Sequence, residues 1–142
     1  DLPIEKFSHE SSEQFDYVLS FQVLEHIPEP KQWLSACLKI LKTGGTLCLA
    51  VPNGHGFQGT LKPEQHIMDA PPHHLARWNI GAFQYLTTLF PIELTRAEFE
   101  PLQSHHLKWY TKKLFDQRED TASLSRTITS KLVQKIFFKF FI

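Results

Sequence analysis

Residues 15–53 read FDYVLSFQVLEHIPEPKQWLSACLKILKTGGTLCLAVPN, and this stretch decides the fold. It opens with Phe15-Asp16-Tyr17-Val18-Leu19-Ser20-Phe21, a short aromatic and β-branched run of the kind a sheet buries on both faces. From Pro30 to Lys42 the apolar positions are Trp33, Leu34, Cys37, Leu38 and Leu41, which form one stripe on a helix stopped by Gly44-Gly45. Thr46 to Val51 is a second strand of the buried type, ended by Pro52-Asn53-Gly54. Strand, helix and strand with short connections make a crossover between parallel strands, the unit of an α/β sheet. Open sheets of this class bind ligands at the carboxyl ends of their strands. That rule points to Ser20–His26 and Pro52–His55 as the functional loops.

Outward from this unit the signals weaken. Residues 1–14 are polar, with Ser and Glu clustered at Ser8 to Glu13, and read as a loop. Residues 54–78 are rich in Gly, Pro and His and too long for a simple connector, as functional lids often are. Asn79 is placed to cap a helix through Phe90, with Ile80, Phe83, Leu86 and Phe90 on its inner face. Ile92 to Phe99 and Leu107 to Leu114 have strand character around a turn at Pro101 to Ser104, which predicts an antiparallel hairpin at one sheet edge. In Thr121 to Ile142, Leu124, Ile128, Leu132, Ile136 and Phe137 fall at helical spacing. No internal repeat or low-complexity tract interrupts the chain.

The 142 residues suffice for one domain with a core, and 42% hydrophobic content is too rich for disorder. Basic and acidic side chains balance at 15 each, so overall charge does not argue for nucleic acid, nor is there an aromatic-basic stripe. The distribution is uneven. Residues 1–104 carry 7 basic and 12 acidic groups, and residues 105–142 carry 8 and 3, so the tail suits an anionic partner or simply a solvated basic face. Cys37 and Cys48 sit inside apolar patterns, which fits buried thiols in a reducing cytosol better than a disulfide or zinc site. No run of about 18 apolar residues is present that would span a membrane. The opening at Asp1, without Met, suggests a fragment.

Four short elements then combine. Phe15-Asp16, Leu24-Glu25-His26, Leu41-Lys42-Thr43-Gly44-Gly45 and Val51-Pro52-Asn53 follow one another in order and at fitting distances. This set resembles the post-cofactor half of class I S-adenosylmethionine-dependent methyltransferases. Pro71-Pro72-His73-His74-Leu75, followed by Arg77-Trp78, is similar to a segment in a subset of those enzymes associated with glycan or cell-surface biosynthesis. The resemblance implies the carboxy-terminal portion of a Rossmann-like methyltransferase sheet, parallel strands plus an antiparallel edge hairpin. On this reading residues 1–114 are a partial methyltransferase domain and residues 115–142 a C-terminal amphipathic helix. The glycine-rich cofactor loop of the family has no counterpart, because Gly44-Gly45 precede a strand rather than joining a strand to a helix.

The resemblance also assigns roles. Ser20, Phe21 and Gln22 match positions flanking the methionine part of S-adenosyl-L-methionine, and Phe21 offers an aromatic face to a sulfonium, although it would serve equally as core. Glu25 takes a cofactor-side or structural role. His26 and His74 are the candidates for general base, since imidazole titrates near neutrality. His73, Arg77 and Trp78 are candidates for holding the substrate, with Arg77 suited to a phosphate or carboxylate. They would serve as well to fold a lid. Neighbouring histidines on extended chain point in opposite directions, and no His-x₃-His pair occurs, so no metal site is expected.

These expectations describe a methyltransferase acting on a small-molecule acceptor, in the glycan or cell-surface precursor class, truncated here and inactive alone. A degenerate binding or assembly module is the second reading. The apolar ending Ile136-Phe137-Phe138-Lys139-Phe140-Phe141-Ile142 would pack or dimerise, or contact a membrane surface, through residues 124–142 of a protein that is cytoplasmic or peripheral to the membrane.

Overall fold

A computed structural model describes residues 2–54, 70–100 and 133–140. Ile4–Glu10 forms a helix, α1, where the polar composition predicts a loop. Ile4 packs against the core and Ser8 is buried, its hydroxyl donating to the Glu5 carbonyl, so a small contact face outweighs the polar flank.

Strand β1, Phe15–Phe21, leads into a 3-10 turn at Leu24–His26 and then helix α2, Pro30–Lys39. Pro30 opens α2, where its fixed φ and missing N–H cost nothing. Trp33, Leu34, Cys37 and Leu38 form the buried stripe that their spacing predicts. Strand β2, Leu41–Pro52, starts earlier than expected and lies parallel to β1. Phe15 pairs with Leu41 but Tyr17 with Thr46, so β2 holds extra residues in a bulge at its start. Gly44, at φ +78°, supplies the left-handed turn of that bulge. A Cβ on Gly45 would come within 2.8 Å of the Lys42 carbonyl oxygen.

Helix α3, Ile80–Leu89, begins at Asn79, whose Oδ1 accepts from the Ala82 amide at 2.9 Å as a cap should. It is followed by β3, Ile92–Glu100, and by β4, Val133–Phe140. The four strands are ordered β1-β2-β4-β3, with β4 antiparallel to both neighbours.

Two expectations are revised here. Residues 133–140 are a strand, not part of a helix, because Ile136 and Phe138 follow a period of two and both are fully buried. Among the described residues the antiparallel partner of β3 is this tail segment, which lies between β2 and β3, while Leu107–Leu114 of the expected hairpin lies outside the described residues. Within the apolar ending, Ile136 and Phe138 are fully buried in the sheet core. Residues 124–132, 141 and 142 lie outside the described residues.

The core occupies one face of the sheet. Leu47, Leu49 and Val51 of β2 and Ile136 and Phe138 of β4 meet Trp33, Leu34 and Cys37 of α2 and Phe83 and Leu86 of α3. On the other face Cys48 and Ala50 are also buried, so β2 is covered on both sides as a parallel strand should be. β1 is not. Tyr17, Leu19 and Phe21 point away from the core and are exposed at 69%, 60% and 55%. β1 pairs only with β2, so an apolar stripe flanks an open sheet edge among the described residues.

Candidate functional site

The site grows from the carboxyl end of β1, where the chain must leave the sheet. Ser20 is buried on the core side, paired with Leu49, and its hydroxyl has no hydrogen-bond partner among the described residues. Phe21 projects from the opposite face. Gln22 then turns with φ +55°, a conformation rare for a residue with a Cβ, while its amide donates to the Ala50 carbonyl at 2.7 Å. This kink ends β1 and sends Val23 into the 3-10 turn.

That turn carries Glu25 and His26. Leu24 enters the core at 0% exposure, and Glu25 beside it is 1% exposed. Both Glu25 carboxylate oxygens lack a hydrogen-bond partner among the described residues. His26 lies outward, with its Nε2 3.8 Å from Glu25 Oε1. Its other nitrogen, Nδ1, donates to the His73 carbonyl at 2.5 Å. Since a carbonyl only accepts, Nδ1 carries a proton and Nε2 is the nitrogen turned towards Glu25.

The segment from Ala70 to Trp78 straps across both strand ends. The Leu75 and Ala76 amides donate to the Glu25 carbonyl at 2.8 and 3.2 Å. Asn53, just past β2, forms a parallel bridge to Trp78, and the Gly54 amide donates to the Trp78 carbonyl at 2.7 Å. Any Cβ on Gly54 would approach that carbonyl to 2.8 Å, so the strap needs glycine there. His74 is thereby brought to His26, the two rings meeting edge-on with centroids 4.7 Å apart.

The predicted residues thus divide. Glu25, His26 and His74 converge, with ligand atoms all within 4.8 Å of one another. Ser20, Phe21 and Gln22 form the adjoining strand end. His73 contributes its carbonyl to His26 while its side chain is exposed, and Arg77 is exposed on the strap. Trp78, expected to contact the substrate, is 9% exposed and stacks on Phe83 with centroids 5.3 Å apart. His55 lies outside the described residues. Glu25 and His26 are adjacent in sequence and His74 lies 48 positions beyond His26, so only the strap brings the three together. Elsewhere, burial and the nearby Glu5 carboxylate push the Cys37 thiol up to about 12.

Comparison with known proteins places this geometry. A family model described as a methyltransferase domain matches residues 3–117. A ubiquinone biosynthesis O-methyltransferase of Pseudomonas fluorescens (strain Pf0-1) is 25% identical over 114 residues, 74% of this chain and 49% of that protein. The chain therefore spans about half the length of the curated relatives it matches. A SAM-dependent methyltransferase from Archaeoglobus fulgidus superposes with a TM-score of 0.65 at 12% identity, over 98% of this chain and 66% of that one. Phosphoethanolamine N-methyltransferase 2 of Haemonchus contortus, in complex with S-adenosyl-L-methionine, superposes at 0.53 and 14% identity, over 95% and 36%. Those structures share the Rossmann-like fold, and S-adenosyl-L-methionine is the cofactor that accompanies it. With its family match covering most of the chain, this chain belongs to the methyltransferase domain family.

Proposed function

We propose that this chain is the carboxy-terminal part of an S-adenosylmethionine-dependent methyltransferase acting on a small-molecule acceptor. The observation that carries the reading is the end of β1, where an orphaned buried hydroxyl, an outward aromatic ring and a left-handed residue occur in succession at Ser20, Phe21 and Gln22. Strained backbone and unsatisfied polar atoms collect where a ligand completes a structure. The residues fit the methionine end of the cofactor on those grounds. Bound there, S-adenosyl-L-methionine supplies an activated methyl group, transferred as the acceptor nucleophile forms a bond to carbon and gives up its proton.

The chain's own residues would orient and activate that acceptor. Phe21 presents a π face to a sulfonium, an attraction of about 0.5–2 kcal/mol. The Nε2 lone pair of His26, with the ring of His74, forms the end of the site that activates the nucleophile, and Glu25 stands behind them. His73 and Arg77, exposed on the strap, supply the acceptor-facing rim. An acceptor with an anionic group, such as a phosphorylated or carboxylated small molecule, suits Arg77. The relatives' O-methyltransferase name supports a hydroxyl acceptor; the glycan or cell-surface class rests on the Pro71-Pro72-His73-His74 resemblance alone.

The exposed stripe Tyr17, Leu19 and Phe21 supports the further reading that strands from the rest of a longer protein continue the sheet across the β1 edge. On that reading the chain alone supplies one wall of the cofactor site and is inactive. Calorimetric titration with S-adenosylhomocysteine tests both points. A polypeptide extended upstream should bind, the present chain should not, and Phe21→Ala should weaken binding. No binding by the extended protein would leave the alternative, a non-catalytic binding or assembly module.

A further inference from the structure

The unsatisfied carboxylate of Glu25 points to something the methyl-transfer reading does not require. A carboxylate taken out of water is costly unless it is hydrogen-bonded, ion-paired or bound to a metal. Glu25 is buried to within 1% and its two oxygens have no hydrogen bond among the described residues. Among the described residues the basic group within ion-pair distance of it is His26, and there the contact is 3.8 Å. The Nδ1–H of His26 is committed to the His73 carbonyl, so Nε2 is the nitrogen turned towards Glu25 Oε1. His74 brings a third donor atom within 4.8 Å of both.

We propose that Glu25, His26 and His74 hold a divalent transition-metal ion of the zinc class. Two imidazole nitrogens and one carboxylate oxygen form a donor set suited to zinc, cobalt, iron or manganese, whereas magnesium and calcium take oxygen ligands almost exclusively. A metal-bound histidine characteristically donates its other ring N–H to a carbonyl or carboxylate, which fixes tautomer and orientation. The Nδ1 contact of His26 with His73 is that arrangement. A tetrahedral ion at about 2.0–2.1 Å from each ligand separates the ligand atoms by about 3.4 Å. Reaching that separation from the present spacing would take side-chain rotation; the His26 side chain is 47% exposed and His74 lies on the strap. Glu25, fixed in the core, is the anchor.

Three protein ligands leave at least one position for water or for an oxygen of a bound molecule. In the metal-bound protein the imidazoles are ligands rather than bases, and an acceptor hydroxyl would lose its proton at the ion. The site itself does not depend on the methyltransferase reading, and its test uses metal content instead of activity.

The experiment is equilibrium dialysis of the protein against Zn(II), with elemental analysis, and titration with Co(II) followed by visible absorption. The expected result is one equivalent of Zn(II) and a Co(II) spectrum of nitrogen–oxygen ligation. Glu25→Gln, nearly isosteric, and His74→Ala, on the surface strap, should each weaken binding by roughly tenfold or more. His9→Ala, an exposed histidine that contacts Lys39, should leave it unchanged. Circular dichroism establishes that each variant is folded. Failure of the parent protein to bind, or binding that survives both substitutions, would overturn the site. Preference for Mg(II) over Zn(II) would overturn the donor-set argument.

Discussion

His26 and His73 are 47 positions apart in sequence, yet Nδ1 of the first donates to the main-chain carbonyl of the second across 2.5 Å. This contact closes the strap over the carboxyl end of β1 and decides which nitrogen of His26 is basic. Substituting Asn at His26 retains a donor near that carbonyl but removes the ring nitrogen facing Glu25. We expect His26→Asn to keep the fold, with an unchanged circular dichroism spectrum, and to lose methyl transfer by about 10²–10⁴-fold in the full-length protein. Retention of activity within a few fold would remove His26 from the chemistry.

Cys37 provides a pH-dependent signature of the core. Its thiol is pushed from 9.0 up to about 12 by burial, with a smaller push from Glu5. The native state thus holds the thiol proton more tightly than the unfolded chain does. Its contribution to stability is whole below about pH 9 and is lost as pH rises from there towards about 12. Urea denaturation of the protein and of Cys37→Ala at pH 8 and pH 10.5 should show the parent's stability falling more steeply. Alkylation of Cys37 at pH 8 should require unfolding. Rapid labelling of the native protein would contradict its burial.

The tail strand is testable by truncating its side chains. Phe138 and Ile136 are fully exposed to the core and to nothing else, at 0% solvent exposure each. Phe138→Ala should cost about 3–5 kcal/mol, a large part of the stability of a small domain. A loss below about 1 kcal/mol would mean the residue lies on a peripheral element.

The two adjacent glycines should respond differently. Gly44→Ala forces a Cβ into φ +78° with open space around it, costing about 1–2 kcal/mol. Gly45→Ala drives a methyl to 2.8 Å from the Lys42 carbonyl and 2.9 Å from the Leu41 side chain, both close to the packed core. The β2 bulge must then shift, at about 1–3 kcal/mol. Chemical denaturation of both variants, and of the pair, measures the two effects and their coupling.

The open edge of β1 predicts poor solubility of the chain alone. Leu19→Lys removes the middle of the exposed stripe without touching the core, and should raise the concentration at which light scattering appears while leaving the denaturation midpoint nearly unchanged. If Leu19→Lys instead unfolds the protein, Leu19 is not on a free surface.

The sequence by itself determined the elements whose signal is local. Periodicity in Trp33–Leu38 specifies α2 and its buried face, Asn79 specifies where α3 begins, and the apolar run after Gly44-Gly45 specifies β2, because each depends on neighbours a few residues away. The ordered motifs from Phe15 to Asn53 carried the family for the same reason. What needed the tertiary structure depends on contacts between distant segments. Ile136 satisfies a helical and an alternating pattern alike, and only pairing with β2 and β3 made its segment a strand. Trp78 carries no local mark of burial; the bridge to Asn53 and the stack on Phe83 put it in the core. Glu25, His26 and His74 read as separate candidates along the chain. Their convergence was decided by the strap hydrogen-bonded to the Glu25 backbone, a long-range closure that no spacing rule encodes.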